Sequence, residues 1–154
     1  MRLPKFVAGV VLVAGCSGLT NLTPELLDKA EQQWNASKPA SYHLVVVMEG
    51  DRVERGEFEV EVKDNAVISL KRNGTLVTSS SAGQDYSMDG LFKIMHEEMD
   101  LAKHPSLLGA PAGYSAYLMA NFDRSSGRLQ HFRRSVGGIS NSIDIEVLQF
   151  EGSK

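Results

Sequence analysis

Apolar residues recur at helical spacing at Leu26, Leu27, Ala30 and Trp34, directly after Thr23-Pro24-Glu25. That tripeptide brings a side-chain acceptor, a proline with a preset backbone angle and an early negative charge, which together favour a helix start. The pattern stops at Ser37-Lys38-Pro39. From Ser41 the period becomes two, with Tyr42, Leu44, Val46 and Met48 on one side, which predicts a strand. Glu57 to Lys63 alternates more sharply, because Phe58, Val60 and Val62 oppose Glu57, Glu59 and Glu61. Asp64-Asn65 predicts a tight turn into a strand over Ala66 to Arg72, and Asn73-Gly74 a hairpin into the short run Thr75 to Thr78. Ser79 to Asp85 is small and polar and reads as a surface loop. Ser87 then caps a second helix carrying Met88, Leu91, Phe92, Met95, Met99 and Ala102, which ends in Lys103 to Ala112 with its two prolines. Three more strands are predicted over Tyr114 to Phe122, Leu129 to Val136 and Ser142 to Phe150.

The order helix, strands, helix, strands predicts an α+β domain in which two helices pack on an antiparallel β-sheet meander. The repetition of that order suggests a duplicated unit, although no sequence identity between the halves is visible.

The amino-terminal segment follows a different logic. Arg2 and Lys5 precede the nine apolar or small residues Phe6 to Ala14, the charged-then-apolar layout of a secretory signal. Nine residues are far fewer than the roughly 20 that a helix needs to span a bilayer, so this run is not a membrane anchor. Val13-Ala14-Gly15-Cys16 resembles the lipobox of bacterial lipoproteins. In that family a diacylglycerol is added to the cysteine thiol, the preceding peptide is cut away and the new amino terminus is acylated, as with palmitate. The resemblance implies a cleaved signal over residues 1–15, a lipidated Cys16 with a short tether to residue 23, and one globular domain over 24–154. The seven tether residues Ser17 to Thr23 reach at most about 25 Å. By the same resemblance, Ser17 in place of Asp favours the outer membrane, facing the periplasm.

Composition narrows the partners. The 154 residues are 42% hydrophobic and 23% charged, in keeping with one domain, and the formal charge is −3. Loss of Arg2 and Lys5 would make it −5, so nothing resembles the basic footprint that nucleic acid demands. A lone cysteine excludes an internal disulfide framework and any cysteine-built zinc or iron–sulfur cluster.

Several features recur together along the chain: Trp34 late in the first helix, Tyr42 opening the first strand, Asp64-Asn65-Ala66-Val67, Ser87-Met88-Asp89-Gly90-Leu91-Phe92, and Phe122-Asp123 before Gly127. In that order, over Leu26 to Phe150, they resemble a family of small bacterial lipoproteins known only as a domain of unknown function. Many of its members carry a cysteine pair after the first strand, whereas Val47 to Asp51 has none, so no disulfide-linked role is implied here. The resemblance implies an envelope location and an α+β fold, and it carries no activity.

Candidate chemistry is sparse. His96 and Asp100 lie one helical turn apart and His104 two turns along from His96, which outlines a weak metal site for a small metal-dependent hydrolase. The same residues also suit the wet face of an amphipathic helix whose dry face is Met88, Leu91, Phe92, Met95 and Met99. No Gly-x-Ser-x-Gly elbow, phosphate-cradling loop or dinucleotide fingerprint is present, and no cofactor is expected. Charge is unevenly spread: Ser41 to Asn65 sums to −4, and Phe122 to Val136 to +3. The basic stretch nominates Arg128, Arg133 and Arg134, with Tyr117, as contacts for an envelope protein or for anionic lipid headgroups. Cross-strand ion pairing is the simpler account of the same charges. A pocket beside Phe92 and Met95, between helix and sheet, would instead make the protein a carrier of an apolar ligand. The resulting expectation is a lipid-anchored cell-envelope protein acting as a non-catalytic binding or structural module.

Overall fold

The computed structural model describes residues 18–78 and 84–153, so the expected signal segment and Cys16 lie outside the described residues. Two helices, α1 (Pro24–Ser37) and α2 (Met88–Ala102), pack against an eight-stranded antiparallel sheet. Its strands are β1 (Thr20–Asn21), β2 (Ser41–Gly50), β3 (Gly56–Lys63), β4 (Ala66–Arg72), β5 (Thr75–Leu76), β6 (Ala116–Phe122), β7 (Leu129–Val136) and β8 (Ser142–Ser153). Their order in the sheet is β1-β6-β7-β8-β2-β3-β4-β5. Each helix is thus followed by its own meander, and the long β2–β8 pairing, from Ser41 opposite Ser153 to Gly50 opposite Ile143, joins the two.

Local chemistry places these elements. Thr23 Oγ1 accepts the Leu26 amide at 3.2 Å, and Ser87 Oγ accepts the Gly90 amide at 3.1 Å, so both helices start at the residues whose side chains can cap them. Asp64 and Asn65 have φ of 52° and 64°, and Asn73 and Gly74 have 49° and 80°, the paired left-handed conformation that matches the twist of a two-residue hairpin. Alternation then decides which side of the sheet is dry: Leu44, Val46, Met48 and Val60 are fully buried, while Glu57 and Glu61 on β3 stay exposed.

The core closes around aromatic rings. Trp34 of α1 meets Tyr42 and Phe150 edge-on, each with ring centroids 5.7 Å apart. The dry stripe of α2, with Met88, Leu91, Phe92 and Met95 fully buried, covers the other half of the sheet. The expected pocket beside Phe92 and Met95 is therefore filled by packed side chains, and the carrier reading loses its cavity at that place.

Three boundaries differ from the periodicity. The chain joins the sheet within the expected tether, because Thr20 and Asn21 pair with Ala120 and Met119 and Leu22 is buried. Two edge-strand residues carry no alternation that a sequence could reveal. The strand expected from Tyr114 begins at Ala116, since Gly113 still turns with a φ of 85°. The last strand runs on to Ser153 because Ser41 still offers a pairing partner there.

Candidate functional site

The basic hairpin is not the free cationic surface that its composition suggests. Arg133 and Arg134 are neighbours on β7, and adjacent strand residues point to opposite faces. Phe132, Arg134 and Val136 face inward, and Arg134 is completely buried. Its Nε donates to Glu98 Oε2 at 3.0 Å, and its Nη1 donates to the Asn141 carbonyl at 3.0 Å and to Asn141 Oδ1 at 2.6 Å. Glu98 is itself 5% exposed, so the pair is an internal tie between α2 and the β7–β8 hairpin rather than a docking contact. This corrects the expectation for Arg134, and the signal was present in the alternation of Phe132 and Val136 around it.

Arg133 does face outward, but its Nε donates to Asp144 Oδ2 at 2.7 Å, and His131 Nε2 lies 2.8 Å from the other oxygen of the same carboxylate. Arg128 sits over the Phe150 ring, 5.2 Å from its centroid. Tyr117 is 58% exposed on the outer face. Of the four nominated contacts, Arg128, Arg133 and Tyr117 reach the surface, without converging on one cleft.

Nor do the three α2 and post-helix candidates converge. His96 Nε2 lies 2.7 Å from Glu31 Oε2 on α1, Asp100 pairs with Lys103 at 2.6 Å, and His104 is exposed just before a 3-10 turn, Pro105–Leu108. The Lys103 ammonium holds the Asp100 carboxyl below the usual range. Among the described residues, the group able to hold a metal ion is a different one: Asp28, Glu31 and His96, whose ligand atoms lie within 4.8 Å of one another. Its two carboxylates come from successive turns of α1 and its imidazole from α2, a pairing across helices that sequence spacing could not reveal.

A groove of about 860 Å³ lies between α1 and the β1–β6 edge. Its apolar lining is Leu26 and Ala30 from α1 with Ala120 and Phe122 from β6, and Phe122 stacks in parallel on the buried Phe92 at 6.0 Å. Lys29, Gln32 and Arg124 are exposed at its margin, and Gly18 and Thr20 close the end where the chain arrives from Cys16. Eight of the described lysines and arginines are held in ion pairs. Lys29 and Arg124 have no ion-pair partner among the described residues.

The turn from Asp123 to Gly127 fixes the far wall of this groove. Asp123 Oδ2 accepts the Ser125 hydroxyl at 2.7 Å, the Ser126 hydroxyl at 2.7 Å and the Ser126 amide at 2.9 Å. Partial burial pushes its pKa up, but these donors, with Arg128 nearby, outweigh burial and hold the carboxyl below its ordinary range. Gly127, with a φ of 73°, lets the turn press against α1: a Cβ there would collide with the Ala30 carbonyl and sit 2.8 Å from the Trp34 amide nitrogen. Gln33 Nε2 donates to the Arg124 carbonyl and completes the seam.

The start of α2 has equally specific demands. Asp85 Oδ1 accepts the Ser87 amide at 2.9 Å and the Ser87 hydroxyl at 2.7 Å, and it lies where a side chain at Gly90 would begin. Asp89 reaches across to α1, accepting from the Trp34 indole at 2.8 Å and pairing with Lys38 at 2.9 Å. The run Ser87 to Phe92 is therefore a junction of two helices, which explains why it stands out in the sequence.

No curated protein and no solved structure matches the chain. A family model matches residues 26–104, from the first turn of α1 to just past the end of α2, and leaves β6, β7 and β8 outside the match. The Trp34–Asp89 junction and the Ser87 helix start lie within it, whereas the Asp123–Gly127 turn does not. The chain belongs to the family of unknown function DUF6174.

Proposed function

We propose that this is a lipid-anchored protein of a bacterial cell envelope, attached through Cys16, whose folded part is a non-catalytic binding module. The supporting observation is where the chain enters the fold. Thr20 already pairs with Ala120, so only Ser17 to Leu19 separate Cys16 from the sheet, a span of about 10 Å when extended. Anchoring there holds the domain against the lipid surface, with the groove beside Gly18 and its exposed Lys29 and Arg124 at the membrane end. Several acyl chains make such attachment stable, where a single chain would bind only marginally. In this reading the anchored face is the outer membrane's periplasmic side, and the partner is an envelope protein or an anionic lipid. The test is feeding an alkyne analogue of palmitate to producing cells and comparing wild type with Cys16→Ala. The proposal expects label on the wild type alone and wild-type protein in the membrane fraction; an unlabelled wild type would end it.

A further inference from the structure

We infer that the groove between α1 and the β1–β6 edge takes one acyl chain of an anionic phospholipid, with Lys29 and Arg124 receiving the headgroup. The location of the lipid rests on the anchoring proposed above, but the chemistry of the groove stands on its own. Leu26 and Phe122, both part-exposed, present hydrocarbon to it above the buried Ala30 and Ala120, and its volume of about 860 Å³ has room for one acyl chain. A peptide strand fits less well. The backbone edge of β6 at this height is already taken, by the Thr20 and Asn21 pairing and by the Leu22 amide bonded to the Leu118 carbonyl at 2.9 Å.

Charge selects the headgroup. Lys29 and Arg124 stand on opposite walls, one on α1 and one on the β6–β7 turn, and neither has an ion-pair partner among the described residues. Asp123, the carboxylate lining the groove, is engaged by Ser125 and Ser126. Each of these exposed cations at the rim adds attraction for a phospholipid phosphate. The occupant therefore combines a hydrocarbon chain for the floor with a net negative head for the rim.

Photolabelling tests this with the full chain, both as wild type and as Cys16→Ala, in mixed micelles. The probe is phosphatidylglycerol carrying a diazirine on one acyl chain, compared with the same chain on phosphatidylcholine. Labelled positions are read by peptide mass spectrometry. The expected result is label concentrated at Leu26 and Phe122 in both proteins, with phosphatidylglycerol favoured. Reversing the two exposed cations together, Lys29→Glu with Arg124→Glu, should cut that preference roughly tenfold while leaving the circular dichroism spectrum unchanged. Leu26→Glu should remove groove label by placing a charge in the floor.

Label scattered over the outer sheet face, or indifferent to the cation reversal in a folded protein, would overturn the inference. So would groove label in Cys16→Ala alone, which would mean that the protein's own acyl chain fills the site, or in the wild type alone, which would mean that only the anchor brings lipid near. Because the Cys16→Ala arm needs no anchor, failure of the groove and failure of the anchoring proposal are separately visible.

Discussion

The indole Nε1 of Trp34 donates to Asp89 Oδ1 at 2.8 Å, binding the last turn of α1 to the first turn of α2 across 55 residues of sequence. Trp34 is 1% exposed, and the half-exposed Asp89 carboxylate is the acceptor for its N–H. Asp89→Ala should therefore cost roughly 1–3 kcal/mol, the loss of a hydrogen bond to a charged acceptor. Asp89→Asn, which keeps an acceptor oxygen, should cost less. Urea unfolding of the two variants checks the ranking, and equal loss in both would remove the indole bond as the cause.

Arg133 and Arg134 should respond oppositely to truncation. Arg134→Ala leaves Glu98 buried beside only a distant Arg52, at 3.9 Å, and should destabilise by about 3–5 kcal/mol. Arg133→Ala removes a half-exposed pair with Asp144 and should cost less than about 1 kcal/mol. The double change Arg134→Met with Glu98→Leu should recover most of the loss, because it removes both charges and keeps the volume. Thermal denaturation of the four proteins reads this directly.

Acid should loosen the β6–β7 turn through Asp123. Its pKa is depressed in the folded protein, so its contribution is present above the unfolded value, about 4, and is lost as pH falls through the lower folded value. Between neutral pH and strongly acid solution, Asp123→Asn should show a shallower fall in the urea midpoint than wild type. Superimposable pH profiles would exclude the carboxylate as the group that titrates.

Gly127→Ala combines a left-handed backbone with a collision against the Ala30 carbonyl. The turn must lift from α1, at a cost above about 1 kcal/mol. Hydrogen exchange should then accelerate at position 127 of the variant, because the native Gly127 amide is bonded to the Asp123 carbonyl at 2.8 Å.

Much of this architecture is legible in the sequence, because short-range chemistry dictates it. Thr23 and Ser87 cap the helices that follow them, Asp64-Asn65 and Asn73-Gly74 turn as their side chains allow, and the glutamates of β3 mark its wet face. What escaped depends on neighbours distant along the chain. The charge sum over Phe122 to Val136 counted Arg133 and Arg134 alike, although strand parity sends one to water and the other to Glu98. His96 looked toward Asp100 on its own helix, but Glu31 on α1 is the carboxylate it meets. The groove was invisible because it is made by Gly127 allowing a turn to approach a helix 97 residues away at Ala30.

Anchoring through Cys16 is the claim on which location and role both depend, and the intact mass of the protein recovered from the membrane of producing cells tests it most directly. The account predicts a chain that begins at Cys16, lacks residues 1–15 and carries the added mass of a diacylglycerol and an amino-terminal acyl group. A recovered chain with an unmodified Cys16, whether whole or cut elsewhere, would contradict it.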